Sequence, residues 1–404
     1  MKTFAFAPER GTVTTPKGFQ AAGVHIGLKR KNKDVALIYS LRPAAAAGLL
    51  TSNKVPAHCV VYNRERLKGG RARAVIINSG NANACNGDQG RLDNLEMAQL
   101  TAKKLGISPD EVLVLSTGVI GEPLDMEKIR AGIALAAESL SEDGGMDAAR
   151  AIMTTDTVPK HFAASFQLAG TTCTIGVIAK GSGMISPHLA TMFCIFTTDV
   201  AIQQALLKEA FAEAVEESLN RLTVDGEMST NDSALILANG AAGNREICDK
   251  GDDYALFVYS LRKLAIEATR AIARDGEGAT KLVTVTVSGA KDKEDAVIAA
   301  RAIADSMLVK TAIFGRDPNW GRVVQAAGAS GAEIDPSAFS VEFAGVKVAE
   351  HGGRMPFDRA KIIEMLGQND VQVTIDLGVG SASATVFTCD LTYEYVTINA
   401  EYHT

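Results

Sequence analysis

The sequence predicts a mixed α/β or α+β protein of more than one structural unit, and three observations carry that expectation. Short apolar runs of strand length recur at residues 73–78 (RAVIIN), 112–115 (VLVL) and 174–179 (TIGVIA). Longer segments between and beyond them place apolar residues at helical spacing, most clearly at 206–222 and 254–273. The chain has 404 residues, 47% of them hydrophobic and 22% charged, enough for two or more units of ordinary globular composition.

Composition also narrows the function. A net charge of −6 leaves no electrostatic footprint for nucleic acid, and no dense Lys/Arg run stands out. The opening MKTFAFAPERG meets Pro8 and Glu9 before any apolar stretch of signal-peptide length. No window approaches the ~18 apolar residues of a membrane helix, so a cytoplasmic location is expected. Six cysteines (59, 85, 173, 194, 248 and 389) form no C-x-x-C pair and read as buried free thiols. Six histidines show no ligand spacing; neither a metal nor a cofactor is expected.

In chain order, 14–29 (TTPKGFQAAGVHIGLK) reads as a turn and then a strand, and 35–40 as another strand. The run 73–78 ends in the loop Ser79 to Cys85, dense in small amide-bearing residues that suit turns. Leu95, Ala98, Ala102 and Leu105 mark a helix over 91–105, with Gly106 as its stop. The run 112–115 leads into STGVIG (116–121). There Thr117 and Gly118 offer a hydroxyl and a bare N–H to one space, as an oxyanion site needs; an ordinary glycine turn looks the same. A helix is expected over 126–140 and a polar break over 141–146. The threonines of IMTTDTVPK (152–160) cap or line a turn.

The strand 174–179 stops at a glycine-rich, proline-containing loop that begins at Lys180. Ten residues later Ala190-Thr191 opens a second strand-like run, MFCIFTT. If the loop strains that peptide, the Thr191 hydroxyl attacks the Ala190 carbonyl and converts amide to ester. Hydrolysis then leaves Thr191 with a free α-amine of pKa about 7.7–8.0 beside its own hydroxyl. Small-residue–Thr pairs also simply begin strands.

Past that loop, the helix expected over 206–222 carries its stripe on Leu207, Phe211, Val215, Leu219 and Leu222. The polar run TVDGEMSTND (223–232) and an apolar run, 233–238, follow. GEGATK (276–281) lacks phosphate-loop spacing, and Glu277 between two glycines suits the amine of an amino acid or a solvated turn. From 282 the texture changes to a smaller α+β unit. It has strands at 309–314, 371–377 and 384–391, a hairpin over 339–348, a helix over 294–307, and a helix start at Asp317-Pro318-Asn319 before the lone Trp320. The tail 395–404 alternates apolar and polar residues to its end.

The phrase KGSGMI-x-P-x-x-ATM closely resembles the cleavage motif of the ornithine acetyltransferase family, the glutamate N-acetyltransferases of arginine biosynthesis. NSGNANAC, STGVIG, TVDGEMSTND, GEGATK, G-x-DPNWGR and the INA-x-Y tail resemble further family phrases, in family order. The resemblance implies a layered α-β-β-α sandwich similar to N-terminal nucleophile hydrolases, main domain 1–281, with a smaller α+β unit 282–404 whose tail returns to the active site. It implies cleavage between Ala190 and Thr191 into an α chain, 1–190, and a β chain, 191–404, assembled as α2β2. Thr191 is then the nucleophile, and Thr117 and Gly118 form the oxyanion hole. Thr154 (with Thr157 as its rival), Lys180, Thr191, Glu277, Asn399 and Thr404 bind substrate, and His403 is a place of expected variation. The implied reaction is ping-pong acetyl transfer from N2-acetyl-L-ornithine to L-glutamate, with acetyl-CoA an open second donor. A hydrolase on the same scaffold and a non-catalytic amino-acid-binding protein are the alternatives.

Overall fold

The structure, a computed structural model, describes residues 8–186 and 192–401. Ala190, Thr191, His403 and Thr404 therefore lie outside the described residues. The first part of the chain runs β1 (Phe19–Val24), β2 (Val35–Leu50), α1 (His58–Arg66), β3 (Arg71–Asn81), α2 (Gly87–Leu105), β4 (Val112–Val119), α3 (Met126–Glu138) and α4 (Gly145–Ala151). It continues with β5 (Lys160–Leu168), β6 (Thr171–Lys180), β7 (Phe193–Thr198), α5 (Gln204–Glu216), β8 (Ser233–Ala238) and α6 (Asp252–Arg274).

These eight strands share one hydrogen-bonded sheet of order β4-β3-β2-β8-β7-β6-β5, with β1 on β2. The sheet folds over at β2. Its pairing with β3 breaks register between Tyr39 and Ala44, where Pro43 interrupts the ladder, and beyond the break it pairs with β8. The strands bury both faces, which is why they read as continuous apolar runs. Ile77, Leu113 and Leu115 face Phe193, Ile195, Leu235 and Leu237 in a core between the two halves of the sheet. Ile76, Val112 and Val114 turn the other way, onto α2 and α3. Cys194, Phe196 and Ile236 turn onto α5 and α6. The order of layers is therefore helix, strand, strand, helix, as expected.

The rest of the chain runs β9 (Leu282–Ala290), α7 (Lys293–Asp305), α8 (Met307–Phe314), α9 (Trp320–Gly328), β10 (Ser340–Phe343), β11 (Val346–Glu350), β12 (Gly353–Arg354), α10 (Arg359–Met365), β13 (Asp370–Asp376), β14 (Ala382–Cys389) and α11 (Tyr393–Glu401), and its six strands form a second sheet. Its order is β12-β11-β10-β13-β9-β14. Val283, Val285 and Val287 point into a core with α7 and α9 while Thr284, Thr286 and Ser288 stay partly exposed, the alternation of a sheet buried on one face. Its strand β14 meets the segment between α5 and β8, where Thr223 N donates to the Phe387 carbonyl at 3.0 Å.

Several expectations need correction. Residues 309–314 are not a strand but most of α8, capped by Ser306, whose side chain accepts from Val309 N at 3.3 Å. Val309, Ala312 and Ile313 are buried and Met307 and Leu308 exposed, a helical spacing hidden by the β-branched residues. The helix expected over 206–222 ends at Glu216, and a 3-10 turn, Leu219–Arg221, carries the stripe onward. The alternating tail is helical from Tyr393 to Glu401. Cys85 and Cys248 are exposed, not buried. Against the expectation of no dense Lys/Arg run, residues 29–33 (KRKNK) form a basic cluster. Lys29 Nζ donates to the Met153 carbonyl at 2.7 Å, burial pushes its pKa down to about 8, and Lys33 pairs with Asp147 at 3.0 Å. Among the described residues no helix is long and apolar enough to cross a membrane.

Candidate active site

Three strand ends form one row across the sheet: Lys180 of β6 stands opposite Phe193 of β7, which stands opposite Ser233 of β8. Above the row lies a cavity of about 120 Å³, walled by residues from separated segments: Thr117 and Gly118, Thr154, Lys180, Met192, Asp232, Glu277 and Asn399 among them. Every described residue singled out from the sequence for the site lies on this cavity except Thr157, the rival to Thr154. Met192, which follows Thr191, lies there too.

Thr117 and Gly118 sit near the end of β4. Gly118 has φ +133°, and a Cβ there would lie 2.3 Å from the Gly80 carbonyl carbon and 2.4 Å from Asn81 N in β3. The pairing of β3 with β4 shifts register at Gly80/Asn81, so the bare backbone of Gly118 fills the space at the bulge. Gly118→Ala should displace this segment and lower kcat on the order of 10²-fold, with Thr117→Ser as the mild control in steady-state assays. Unchanged kcat in the alanine variant would sink that reading.

Lys180 is 9% exposed, and its Nζ donates to Thr117 Oγ1 at 3.3 Å. Burial pushes it below the usual lysine range, with Asp156 opposing and Lys160 adding to the fall. Behind it is a buried ion cluster that the sequence did not reveal. Lys160 Nζ lies 2.6 Å from Asp156 Oδ1 and 2.5 Å from Asp275 Oδ2. Asp156 also accepts from Gly181 N at 2.7 Å and Thr154 N at 3.0 Å, so it ties the start of the glycine loop to the threonine turn. Burial alone would raise its pKa, but Lys160, Lys180 and the Gly181 N–H outweigh that and hold it at about 2. Thr154 faces the cavity. Thr157 gives its hydroxyl to Asp275 and lines a separate cleft of about 880 Å³ with Lys160 and Arg270.

Glu277 accepts from Asn399 Nδ2 at 2.8 Å, which joins the loop after α6 to α11. A Cβ on Gly183 would lie 2.2 Å from Glu277 Oε2, so the glycine loop passes directly against this carboxylate. The same loop is anchored by a residue that sequence reasoning passed over. Asp225 accepts from Met184 N and Ile185 N, both at 2.7 Å, and from the Tyr395 hydroxyl at 3.3 Å. Asn231 donates to the Ala82 carbonyl at 2.7 Å and the Ser116 carbonyl at 2.6 Å, tying the ends of β3 and β4. Both lie in TVDGEMSTND, whose polar density between apolar runs was the available signal. Asp225→Ala removes two charge-assisted acceptors worth about 1.5–3 kcal/mol each, so amide exchange at Met184 and Ile185 should quicken at least 10-fold. Unchanged exchange would rule out Asp225 as the anchor.

A family model described as the ArgJ family matches residues 20–404, which takes in the whole cavity. The chain belongs to the ArgJ family. The arginine biosynthesis bifunctional protein ArgJ of Symbiobacterium thermophilum is 50% identical over 397 residues, 98% of this chain and 99% of that protein. The crystal structure of arginine biosynthesis bifunctional protein argJ from Bacillus halodurans aligns at 36% identity and TM-score 0.50, covering 52% of this chain and 98% of that one. Ornithine acetyltransferase complexed with ornithine from Mycobacterium tuberculosis aligns at 40% identity and TM-score 0.43, covering 46% of this chain and 99% of that one. Within this ArgJ-family chain the cavity draws on β4, β6, the turn after α4, the residues before β7 and β8, the loop after α6, and α11.

Proposed function

We propose that this ArgJ-family enzyme cuts itself between Ala190 and Thr191 and then transfers acetyl from N2-acetyl-L-ornithine to L-glutamate through an ester on Thr191. The observation that carries the reading is the gathering of Thr117, Gly118, Thr154, Lys180, Glu277 and Asn399 around one cavity beside Met192. Thr191 attacks the acetyl carbonyl, its α-amine taking the hydroxyl proton. The Gly118 N–H and the Thr117 hydroxyl stabilise the oxyanion, and ornithine leaves with the proton. Glutamate then takes the acetyl group from Thr191, so the kinetics are ping-pong.

Lys180 offers its charge to the substrate α-carboxylate, and its depressed pKa means that this charge is lost on the alkaline side earlier than for an ordinary lysine. Glu277, held by Asn399, suits a substrate amine. Thr154 and Thr404 complete substrate binding, with the unit 282–404 bringing its tail to the site. That the Bacillus halodurans chain matches along 98% of its length yet accounts for 52% of this one supports division near the middle. The word bifunctional in the relatives' name favours acetyl-CoA as a second donor to glutamate. The assembly is α2β2 and the location cytoplasmic.

The test is a denaturing gel with N-terminal sequencing, followed by incubation with acetylornithine and glutamate. A second N-terminus at Thr191 and one acetylglutamate formed per ornithine released are expected. Acetate in place of acetylglutamate would make the enzyme a hydrolase, and an intact chain would remove the mechanism altogether.

A further inference from the structure

At about 120 Å³ the cavity takes an acetyl group and a small amino acid, and it is too small for a nucleotide. The phosphates of acetyl-CoA must then lie outside it, on the surrounding surface, and that surface is divided in charge. Glu277 lies on the cavity wall, and Asp225 and Glu227 join it around Tyr395, whose hydroxyl is pushed up by burial and then by these three carboxylates. A polyphosphate is repelled there. The opposite charge is carried by the loop between β1 and β2, which holds Lys29-Arg30-Lys31-Asn32-Lys33.

Lys29 roots this loop beside two cavity walls. A Cβ on Gly80, the residue packed against Gly118, would lie 3.3 Å from Lys29 Cγ. Lys29 Nζ donates to the carbonyl of Met153, the neighbour of Thr154, at 2.7 Å. Gly118 and Thr154 both line the cavity. The buried Asp34 carboxylate fixes the loop by accepting from Ile26 N and Leu28 N at 2.8 Å and from Lys29 N at 3.1 Å. Lys33 is tied to Asp147 at 3.0 Å and to the Gly23 carbonyl at 2.7 Å. Arg30 and Lys31 are exposed, and neither has a partner among the described residues. Arg30 stands one Cα step, about 3.8 Å, beyond Lys29. A chain of net charge −6 thus holds two uncommitted cations on a pinned loop beside its cavity.

We propose that Arg30 and Lys31 form the docking site for the phosphates of the thioester donor, so that the nucleotide of acetyl-CoA rests on this loop while its acetyl end lies in the cavity. This rests on the reading that acetyl-CoA is a second donor. Transfer to glutamate breaks the donor's C–S bond and forms a C–N bond, and the proton lost by the amine ends on the CoA thiol. The loop takes no part in those bonds and acts on donor binding alone. An arginine and a lysine suit phosphate oxygens, the first as a planar fork and the second as a point charge. Acetylornithine carries no phosphate, so the loop favours one donor and leaves the other untouched.

The test compares acetyl-CoA with acetylpantetheine, which keeps the thioester and lacks the phosphates, in acetylglutamate formation. The unaltered enzyme should have the lower KM for acetyl-CoA, and that KM should rise several-fold between about 50 mM and about 300 mM salt as the charges are screened. Arg30→Glu/Lys31→Glu should raise the KM for acetyl-CoA at least about fivefold and flatten its salt dependence. It should leave kcat and the KM values for acetylpantetheine and acetylornithine within about twofold. Arg30→Lys/Lys31→Arg keeps both charges and should keep the KM for acetyl-CoA within about twofold of the unaltered enzyme. An unmoved KM for acetyl-CoA in the charge-reversed enzyme, or an equal shift for acetylpantetheine, overturns the docking site. If the unaltered enzyme uses acetylornithine but makes no acetylglutamate from acetyl-CoA, the second-donor reading itself fails and the docking site falls with it.

Discussion

Thr191→Ala protein is expected to remain one 42.5 kDa chain and to transfer no acetyl group. A single hydroxyl has two tasks in the proposed scheme: it attacks the Ala190 carbonyl to free its own amine, and it then carries the acyl group. Alanine removes the oxygen from both, and loss of a nucleophile costs on the order of 10⁴-fold or more in rate. Thr191→Ser keeps the hydroxyl and should still be cut, since the γ-methyl takes no part in either bond. A denaturing gel reads the first task and acetylglutamate formation the second. Activity in an uncut alanine variant would move the chemistry to another hydroxyl of the cavity, such as that of Thr117.

Lys160→Met should cost about 3–5 kcal/mol of stability, because it leaves the Asp156 and Asp275 carboxylates buried together without their common cation. Methionine matches the lysine stem in bulk, so the loss reports charge and not a cavity. In the native protein Asp156 is held at about 2, below its unfolded value. Its contribution is therefore complete above the ordinary carboxylate range and is lost as pH falls through about 2. In the variant Asp156 loses its main cation and takes up a proton at higher pH. The stability gap should accordingly narrow as pH is lowered from 7 toward 4. Urea melts at the two pH values measure this, and a constant gap would mean that packing sets the cost. Activity should fall as well, since Asp156 holds both Gly181 and Thr154 at the cavity.

The parts of the site most legible in the sequence were those in which a strand run stops at unusual residues. VLVL stopping at Ser116-Thr117-Gly118 and TIGVIA stopping at Lys180-Gly181 each announce a strand end with chemistry on it. Why position 118 must be glycine was not legible, because the atoms that exclude a Cβ belong to Gly80 and Asn81 in the neighbouring strand. Thr154 and Thr157 were equivalent as sequence, three residues apart in a turn without periodicity. Asp275, far along the chain, takes the Thr157 hydroxyl. Lys160 gave no signal of a buried ion cluster, because only one of its carboxylates, Asp156, is local and the other, Asp275, lies 115 residues along the chain. Residues 309–314 misled for a local reason: β-branched residues favour strands in isolation, and the Ser306 cap together with burial of Val309 and Ile313 overrides that preference.

Taken alone, the sequence determined the alternation of helix and strand, the family phrases and the residue types that chemistry on an amino acid requires. These are local properties, written in spacing and in single side chains. Tertiary structure alone decided which of those residues share a cavity, which carboxylates are paired and where, as at Asp232 Oδ2, a buried oxygen has no hydrogen-bond partner among the described residues. Those outcomes depend on strand register and on desolvation by distant segments. A one-residue slip between β7 and β8 would take Asp232 away from Met192 without changing a letter of either strand.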